Sequence, residues 1–116
     1  MRSPPDDLDL TQAQSFALEP HDLADLLGTV EVSLSSSLEQ LHSPLDAHHL
    51  HRALHDLKGY LGLVAVSGLC QRVQEADQAA RLGLVSDAQA QLVPLIPRLE
   101  RLQEAVRAYR AGIIDS

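Results

Sequence analysis

The chain has 116 residues and a formal net charge of −7 at pH 7, with 45% hydrophobic residues and only 3% aromatic ones. This length suits a single domain with one core. The acidic balance argues against nucleic acid and against an anionic membrane surface as partners, because both require a basic patch. The single cysteine, Cys70, excludes an internal disulfide and a multi-cysteine zinc site. We expect Cys70 to be a small buried hydrophobic residue.

Nothing in the sequence resembles a targeting segment or a membrane span. No apolar run follows Met1, and no stretch approaches the roughly 18 apolar residues that cross a bilayer. We therefore expect a soluble protein in the cytoplasm. Residues 1–8 are polar and proline-rich and are predicted to form a flexible leader, and residues 9–114 are predicted to form the folded domain.

Leucine and alanine dominate the apolar residues, which favours helices over strands. The first predicted helix is short and runs from Thr11 to Ala17, with Asp9 or Thr11 as its cap. Glu19-Pro20 interrupts it, because the residue before a proline disfavours helical backbone.

Two long helices are predicted next. The second helix begins near Pro20 and ends at His42, and Ser43 is expected to cap a third helix whose first residue is Pro44. Apolar residues recur at steps of three and four, which is helical periodicity. They are Leu23, Leu27, Val30, Leu34, Leu38 and Leu41 in the second helix and Leu50, Leu54, Leu57, Leu61 and Val64 in the third.

A fourth helix is predicted after Ser67, a candidate cap. Its apolar stripe comprises Leu69, Val73, Ala76 and Ala80. The helix is expected to end at residues 81–83, where an arginine is followed by a terminal glycine.

The last predicted helix begins at Ser86 or Asp87. Pro94 and Pro97 lie in its first half, and proline removes a backbone donor and clashes with the preceding turn. We therefore expect a kink or a restart between Leu92 and Arg98. The apolar stripe of this helix comprises Leu92, Leu95, Leu99, Leu102, Val106 and Tyr109.

Four long helices joined by short connections predict an all-α fold, an antiparallel up-down four-helix bundle with a short additional N-terminal helix. The stripe of the last helix is expected to serve the bundle core, so we expect a monomer.

The third helix carries an unusual segment, residues 55–62, which reads His-Asp-Leu-Lys-Gly-Tyr-Leu-Gly. A glycine inside a helix costs about 1 kcal/mol relative to alanine. At 100° per residue, the residues that share one broad face away from the apolar stripe are His48, His51, His55, Gly59 and Gly62, with Lys58 at the edge. Two glycines beside a histidine indicate a bare surface that another protein approaches closely.

Three interpretations of this face compete. His55 and Lys58 can be ordinary surface residues, although this leaves Gly59 and Gly62 unexplained. His48, His51 and His55 have a spacing that suits zinc or nickel ligands, but Lys58 would place a positive charge beside the metal. No metal site is therefore assigned.

The third interpretation is phosphoryl chemistry on His55. A neutral imidazole is a nucleophile that can carry a phosphoryl group covalently. Lys58 lies one turn further on, where its charge stabilises a bound phosphate. Gly59 and Gly62 remove side chains beside the imidazole, so a partner's active site can reach it.

The pattern His55-x-Leu57-Lys58-Gly59, with Gly62 after it, resembles the histidine-containing phosphotransfer domains of two-component phosphorelays. The resemblance covers residues 18–112. It implies a four-helix bundle in which His55 accepts a phosphoryl group from a receiver aspartate and passes it to another. It also implies that Lys58 stabilises the charge and that Gly59 permits docking.

Three positions depart from the family's pattern. Ala65 stands where many members have a glycine, and Tyr60 stands where a small residue is common. Tyr60 is expected to pack at a helix seam. The family often orients its histidine with a Glu or Gln on the next helix, and here that place holds Asp77, with Gln74 one turn earlier as a substitute. The sequence leaves open whether Asp77, Gln74 or neither orients His55.

The resulting hypothesis is a phosphohistidine carrier without ATP-binding or autokinase activity, because the sequence has no phosphate-cradling glycine loop. The chain itself needs no cofactor, and Mg²⁺ is expected on the partner receiver domain. Response-regulator receiver domains are the expected partners, with a hybrid sensor histidine kinase as a further candidate. The predicted docking residues are His51, Gly59, Gly62, Gln74 and Asp77. The alternative is a non-phosphorylated helical module that binds or sequesters a receiver.

Overall fold

A computed structural model describes residues 7–42 and 46–114 of the chain. Within these ranges the chain forms five helices and a single isolated bridge between Leu8 and Ala65. The helices are α1 (Thr11–Phe16), α2 (Pro20–His42), α3 (Ala47–Leu61), α4 (Ser67–Arg81) and α5 (Val85–Ile114). The predicted all-α fold with a short additional N-terminal helix is therefore confirmed.

The four long helices form a closed bundle. The helix α2 packs on α3 and α5, and α4 packs on the same two helices. Each of these contacts joins helices that follow one another along the chain, except the contact between α2 and α5, which joins the first long helix to the last. The short helix α1 lies against α2. Short connections join successive long helices, as in an up-down bundle.

The predicted apolar faces meet in the centre of the bundle. Every leucine and valine assigned to a stripe of α2, α3, α4 or α5 is buried, as is Val64 just after α3. Burial of a leucine side chain stabilises the fold by about 1.5–3 kcal/mol, so this core outweighs the weak helix propensity of the serines in α2. Tyr109 is the exception among the residues of the predicted stripes, because it is 40% exposed and its hydroxyl accepts a hydrogen bond from Gln14 in α1.

The two helix starts around the site differ from the prediction. The helix α3 begins at Ala47, where the Asp46 carboxylate caps it by accepting from the His49 backbone N–H at 2.8 Å. The predicted cap Ser43 and first residue Pro44 lie outside the described residues. The helix α4 has Val66 as its N-cap residue and no side-chain cap, so the prediction that Ser67 caps it is wrong.

The end of α4 follows the prediction. Gly83 has φ of +77°, the left-handed conformation that glycine adopts without steric cost. Its N–H donates to the Ala80 carbonyl, and the Leu84 N–H donates to the Ala79 carbonyl. These two bonds form a Schellman motif, which ends α4 and turns the chain into α5.

Of the predicted kink or restart in the last helix, the restart is wrong, because α5 is continuous through Pro94 and Pro97, and the kink stays a prediction. Both prolines are exposed, and so are Ala90 and Val93, whose carbonyls lose their helical donors. Water can satisfy those carbonyls, which lowers the cost of a proline inside a helix.

The segment before α1 contacts the bundle. Asp7 accepts two hydrogen bonds from the Arg98 guanidinium of α5, at 2.7 and 3.1 Å, and its carbonyl accepts from the Val66 N–H. The Asp9 N–H donates to the Val64 carbonyl. Asp7 and Leu8 thus pack against the domain although the sequence assigned them to the leader, and the rest of that leader lies outside the described residues.

Candidate functional site

The helix α3 separates a core face from an exposed face. Leu54, Leu57 and Leu61 are each completely buried, whereas His55 and Gly59 are exposed on the other side. This follows from helical geometry, since residues 54, 57 and 61 recur on one face and residues 55 and 59 on another. The imidazole of His55 is therefore presented on a rigid helix whose opposite face is anchored in the core.

The two glycines have different roles in the structure. Gly59 lies inside α3, and a Cβ atom there would meet nothing within 4 Å. Gly62 is the C-cap residue of α3 rather than an internal one, and a Cβ there would lie 3.6 Å from the Gln12 Oε1 of α1. The expectation of two glycines inside the helix therefore holds for Gly59 alone. Only Gly59 leaves open space beside the exposed face.

Lys58 is held by a buried carboxylate on the neighbouring helix. Its Nζ donates to Asp77 Oδ2 at 3.1 Å, and the Lys58 side chain is 32% exposed. An ammonium has three N–H donors, so two remain for another acceptor. Lys58 can therefore keep its ion pair with Asp77 and still donate to a phosphate.

The second oxygen of Asp77 binds His51. The His51 Nδ1 lies 2.5 Å from Asp77 Oδ1, and Asp77 itself is 1% exposed. His51, Lys58 and Asp77, here named the Asp77 cluster, thus join α3 to α4. A buried carboxylate without partners would cost several kcal/mol, so His51 and Lys58 offset the cost of burying Asp77. Asp77 is buried and contacts His51 and Lys58 inside the bundle, and its part in docking stays a prediction.

His55 is bonded to neither of the residues considered as its orienting partner. It makes no hydrogen bond within the described residues, and its one ring contact is with His51, at 5.7 Å between ring centroids. Gln74 is exposed on α4 and also lacks a hydrogen bond in the part of the chain that the structure describes. The carboxylate of Asp77 therefore binds His51 and Lys58 rather than His55.

Sequence reasoning missed the Asp77 cluster. His51 and Lys58 are seven residues apart, and this spacing places them two turns apart on one side of α3. An acidic residue on the next helix can reach both if it lies between them. The sequence contained that spacing, but only the register between α3 and α4 shows that Asp77 lies opposite it.

The histidines of α3 do not form a metal centre. Within residues 7–42 and 46–114, no group of three or more histidine, cysteine, aspartate or glutamate side chains has metal-binding geometry. His48 contacts His49 edge to face, and His49 Nδ1 lies 2.8 Å from Asp46 Oδ1 at the start of α3. The partners of His48 and His49 therefore differ from those of His51 and His55.

Two further residues near the site, Tyr60 and Cys70, are partly buried. Tyr60 packs at the seam between α3 and α2 as predicted, and its hydroxyl is 2.8 Å from the Ser37 hydroxyl. Burial raises the pKa of Tyr60 to about 12. Cys70 is half-buried against the core rather than fully buried, and burial raises the pKa of its thiol.

Membrane insertion finds no support in the helices. Among the described residues, no helix combines the length and the apolar content that a bilayer crossing requires.

Comparison with known proteins identifies the fold. No protein-family model and no curated protein matches the sequence. The crystal structure of histidine-containing phosphotransfer protein B from Pseudomonas aeruginosa PAO1 matches this chain with a TM-score of 0.78 and 23% sequence identity. The match covers 95% of this chain and 98% of that one. The resemblance predicted from the sequence is therefore confirmed as a shared fold.

Proposed function

We propose that this protein carries a phosphoryl group on His55 between the aspartates of receiver domains in a two-component phosphorelay. The observation that carries the proposal is an exposed histidine on α3 with Lys58 and Gly59 in the following turn, within a fold shared with a phosphotransfer protein. Orientation within the complex would supply most of the rate.

The transfer step needs little from this chain. A ring nitrogen of His55 attacks the phosphorus of a receiver aspartyl phosphate, the N–P bond forms, and the acyl O–P bond breaks with its electron pair leaving on the carboxylate. Lys58 donates to the phosphoryl oxygens as charge accumulates on them. The receiver supplies Mg²⁺. The chain itself acts as a carrier and has no ATP site. We propose that it is a monomer and works in the cytoplasm. A hybrid sensor histidine kinase is a further candidate partner.

The open surface at Gly59 supports docking by a receiver domain. A Cβ atom at this position would meet nothing within 4 Å, so no side chain of the bundle fills the space one turn from His55. The net charge of −7 argues against nucleic acid as a partner.

The experiment is phosphoryl transfer from a phosphorylated receiver. Wild-type protein is expected to acquire an acid-labile, base-stable phosphate that peptide mapping locates on His55. The variant His55→Gln is expected to lower the initial rate of labelling at least about tenfold, because it removes the positioned nucleophile. His21→Gln is the matched control, since His21 is an exposed histidine on α2 with a side chain 78% exposed.

Lys58 is tested in the same assay. Lys58→Gln is expected to slow transfer about tenfold, and Lys58→Arg, which keeps the charge, is expected to restore most of the rate. Thermal unfolding of each variant separates this effect from loss of the Asp77 ion pair. Equal rates in the Gln variant and wild type would refute the role of Lys58. A receiver that binds wild-type protein without transferring phosphate would instead support the sequestering module.

A further inference from the structure

His51 is held in a more defined environment than His55. Its Nδ1 contacts a carboxylate oxygen of Asp77 at 2.5 Å, and its side chain remains 32% exposed. The other Asp77 oxygen accepts from Lys58. His55, one turn further along α3, lies beside this ring at a centroid distance of 5.7 Å.

The contact with Asp77 selects one tautomer of His51. A carboxylate that already accepts a hydrogen bond from Lys58 has only acceptor oxygens to offer. The Nδ1 of His51 must then carry the proton, which leaves the lone pair of the neutral ring on Nε2. Nε2 makes no hydrogen bond among the described residues, and the His51 side chain is 32% exposed, so we take Nε2 as the nitrogen that a phosphoryl donor approaches.

The same carboxylate stabilises the charge that a reaction at Nε2 creates. Phosphorylation of Nε2 while Nδ1 keeps its proton leaves a positive ring. A carboxylate hydrogen-bonded to Nδ1 stabilises an imidazolium in this way in catalytic histidine–aspartate pairs. The burial of Asp77 strengthens the interaction, because little water screens it.

We propose that His51 is a second phosphoryl acceptor on this face and that Asp77 is its positioning residue. The inference rests on the proposed function, because it assumes that the exposed face of α3 meets phosphoryl donors. It differs from that function in the residue modified and in the origin of its reactivity.

The step balances with a small phosphoryl donor such as phosphoramidate. The lone pair of His51 Nε2 attacks phosphorus and forms an N–P bond. The N–P bond of the donor breaks, and its nitrogen, which is protonated as –NH3+ in the zwitterion, leaves as ammonia with the bonding electron pair. The proton on Nδ1 stays in its hydrogen bond with Asp77.

The chain contains a matched reference histidine. His49 also has its Nδ1 at 2.8 Å from a carboxylate oxygen, that of Asp46, but both side chains are highly exposed, at 61% and 66%. Water screens that pair, so its carboxylate stabilises an imidazolium less. If exposure alone governs reactivity, His49 reacts faster than His51. If the buried carboxylate governs it, His51 reacts faster.

The experiment treats the full-length His55→Gln variant with phosphoramidate and follows each phosphohistidine by peptide mapping. His51 is expected to be labelled at least about tenfold faster than His49, because the buried carboxylate stabilises the developing imidazolium more strongly than the exposed one does. Asp77→Asn is expected to bring the His51 rate down to that of His49. Asp46→Asn is expected to leave the His51 rate unchanged.

Nitrogen NMR of the histidine rings gives a readout that a purely structural role of Asp77 would not move. The unphosphorylated protein is expected to show His51 as the tautomer with the proton on Nδ1, and Asp77→Asn is expected to abolish that preference. Labelling of His49 ahead of His51, or a His51 rate insensitive to Asp77→Asn in a folded variant, would overturn the proposal. Receiver-driven labelling of wild-type His55 tests the carrier function with a different donor, so the two can fail separately.

Discussion

At the scale of single residues, the exposed face of α3 divides its tasks among neighbouring side chains. His55 is exposed and free of hydrogen bonds within the described residues, whereas His51 and Lys58 share the buried carboxylate of Asp77. An imidazole that no hydrogen bond holds within the described residues suits a carrier that meets two partners. The Asp77 cluster supplies a fixed cation and a fixed imidazole beside it.

Gly59 is predicted to serve docking at a cost to stability. Nothing lies within 4 Å of a Cβ at this position, so Gly59→Ala is expected to raise the free energy of unfolding by about 1 kcal/mol through helix propensity. Urea unfolding followed by circular dichroism measures this change. The larger Gly59→Leu is expected to keep the fold but slow receiver-driven transfer about tenfold or more by displacing the docked partner.

Gly112→Leu on α5 is the control for this pair, because a Cβ at Gly112 also meets nothing within 4 Å. It is expected to leave the transfer rate unchanged. Transfer by Gly59→Leu at the wild-type rate would show that the partner does not approach this surface.

At the scale of helices, periodicity located the elements better than local signals located their ends. The apolar stripes of α2 to α5 are buried as predicted, except for Tyr109 in α5. The predicted cap Ser67 is not used, and α5 continues through both prolines. Caps and breaks each contribute about 1–3 kcal/mol, which packing along a long stripe can exceed.

The packing of α3 against α2 is predicted to lose stability at alkaline pH, because Tyr60 lies between these helices and ionises there. Burial raises its pKa to about 12, above the value of about 10 for an unfolded tyrosine. Stability from the neutral phenol is therefore complete below about pH 10 and is lost as the pH rises through about 12.

In a Tyr109→Phe variant, Tyr60 is the remaining tyrosine, since the chain has two. The ultraviolet absorbance of its phenolate is expected to develop around pH 12. A midpoint at about pH 10 in the folded protein would contradict the burial argument.

At the scale of the whole molecule, the bundle presents its candidate site through the packing of α3 against α4. Neither helix carries the Asp77 cluster alone, because His51 and Lys58 belong to α3 and Asp77 to α4. The segment before α1 is tied to α5 through Asp7 and Arg98. At the Asp77 cluster and at the Asp7–Arg98 pair, the domain is thus held together by contacts between residues that are distant in sequence.

The tie between Asp7 and Arg98 is predicted to weaken in acid. Hydrogen bonds from Arg98 hold the pKa of the Asp7 carboxyl below its ordinary 3.8, so its contribution is present above about pH 4 and is lost as the pH falls through the lowered value. Asp7→Asn is expected to lower the free energy of unfolding by about 1 kcal/mol at neutral pH, as for a bidentate pair near the surface.

Urea unfolding of both proteins at neutral pH and near pH 3 measures this difference, which is expected to shrink in acid. Asp25→Asn is the control, since Asp25 is an exposed carboxylate without an ion pair among the described residues. A difference that is the same at both pH values would contradict the assignment to this ion pair.

The sequence by itself determined the helices, their buried faces and the exposed position of His55, Lys58 and Gly59. These features depend on the period of 3.6 residues, which local spacing reveals. The tertiary structure alone decided that Asp77 binds His51 and Lys58 rather than His55, and that Gly62 lies against α1. Such contacts depend on the register and rotation of one helix against another, and those are set by packing of the whole core rather than by any single segment.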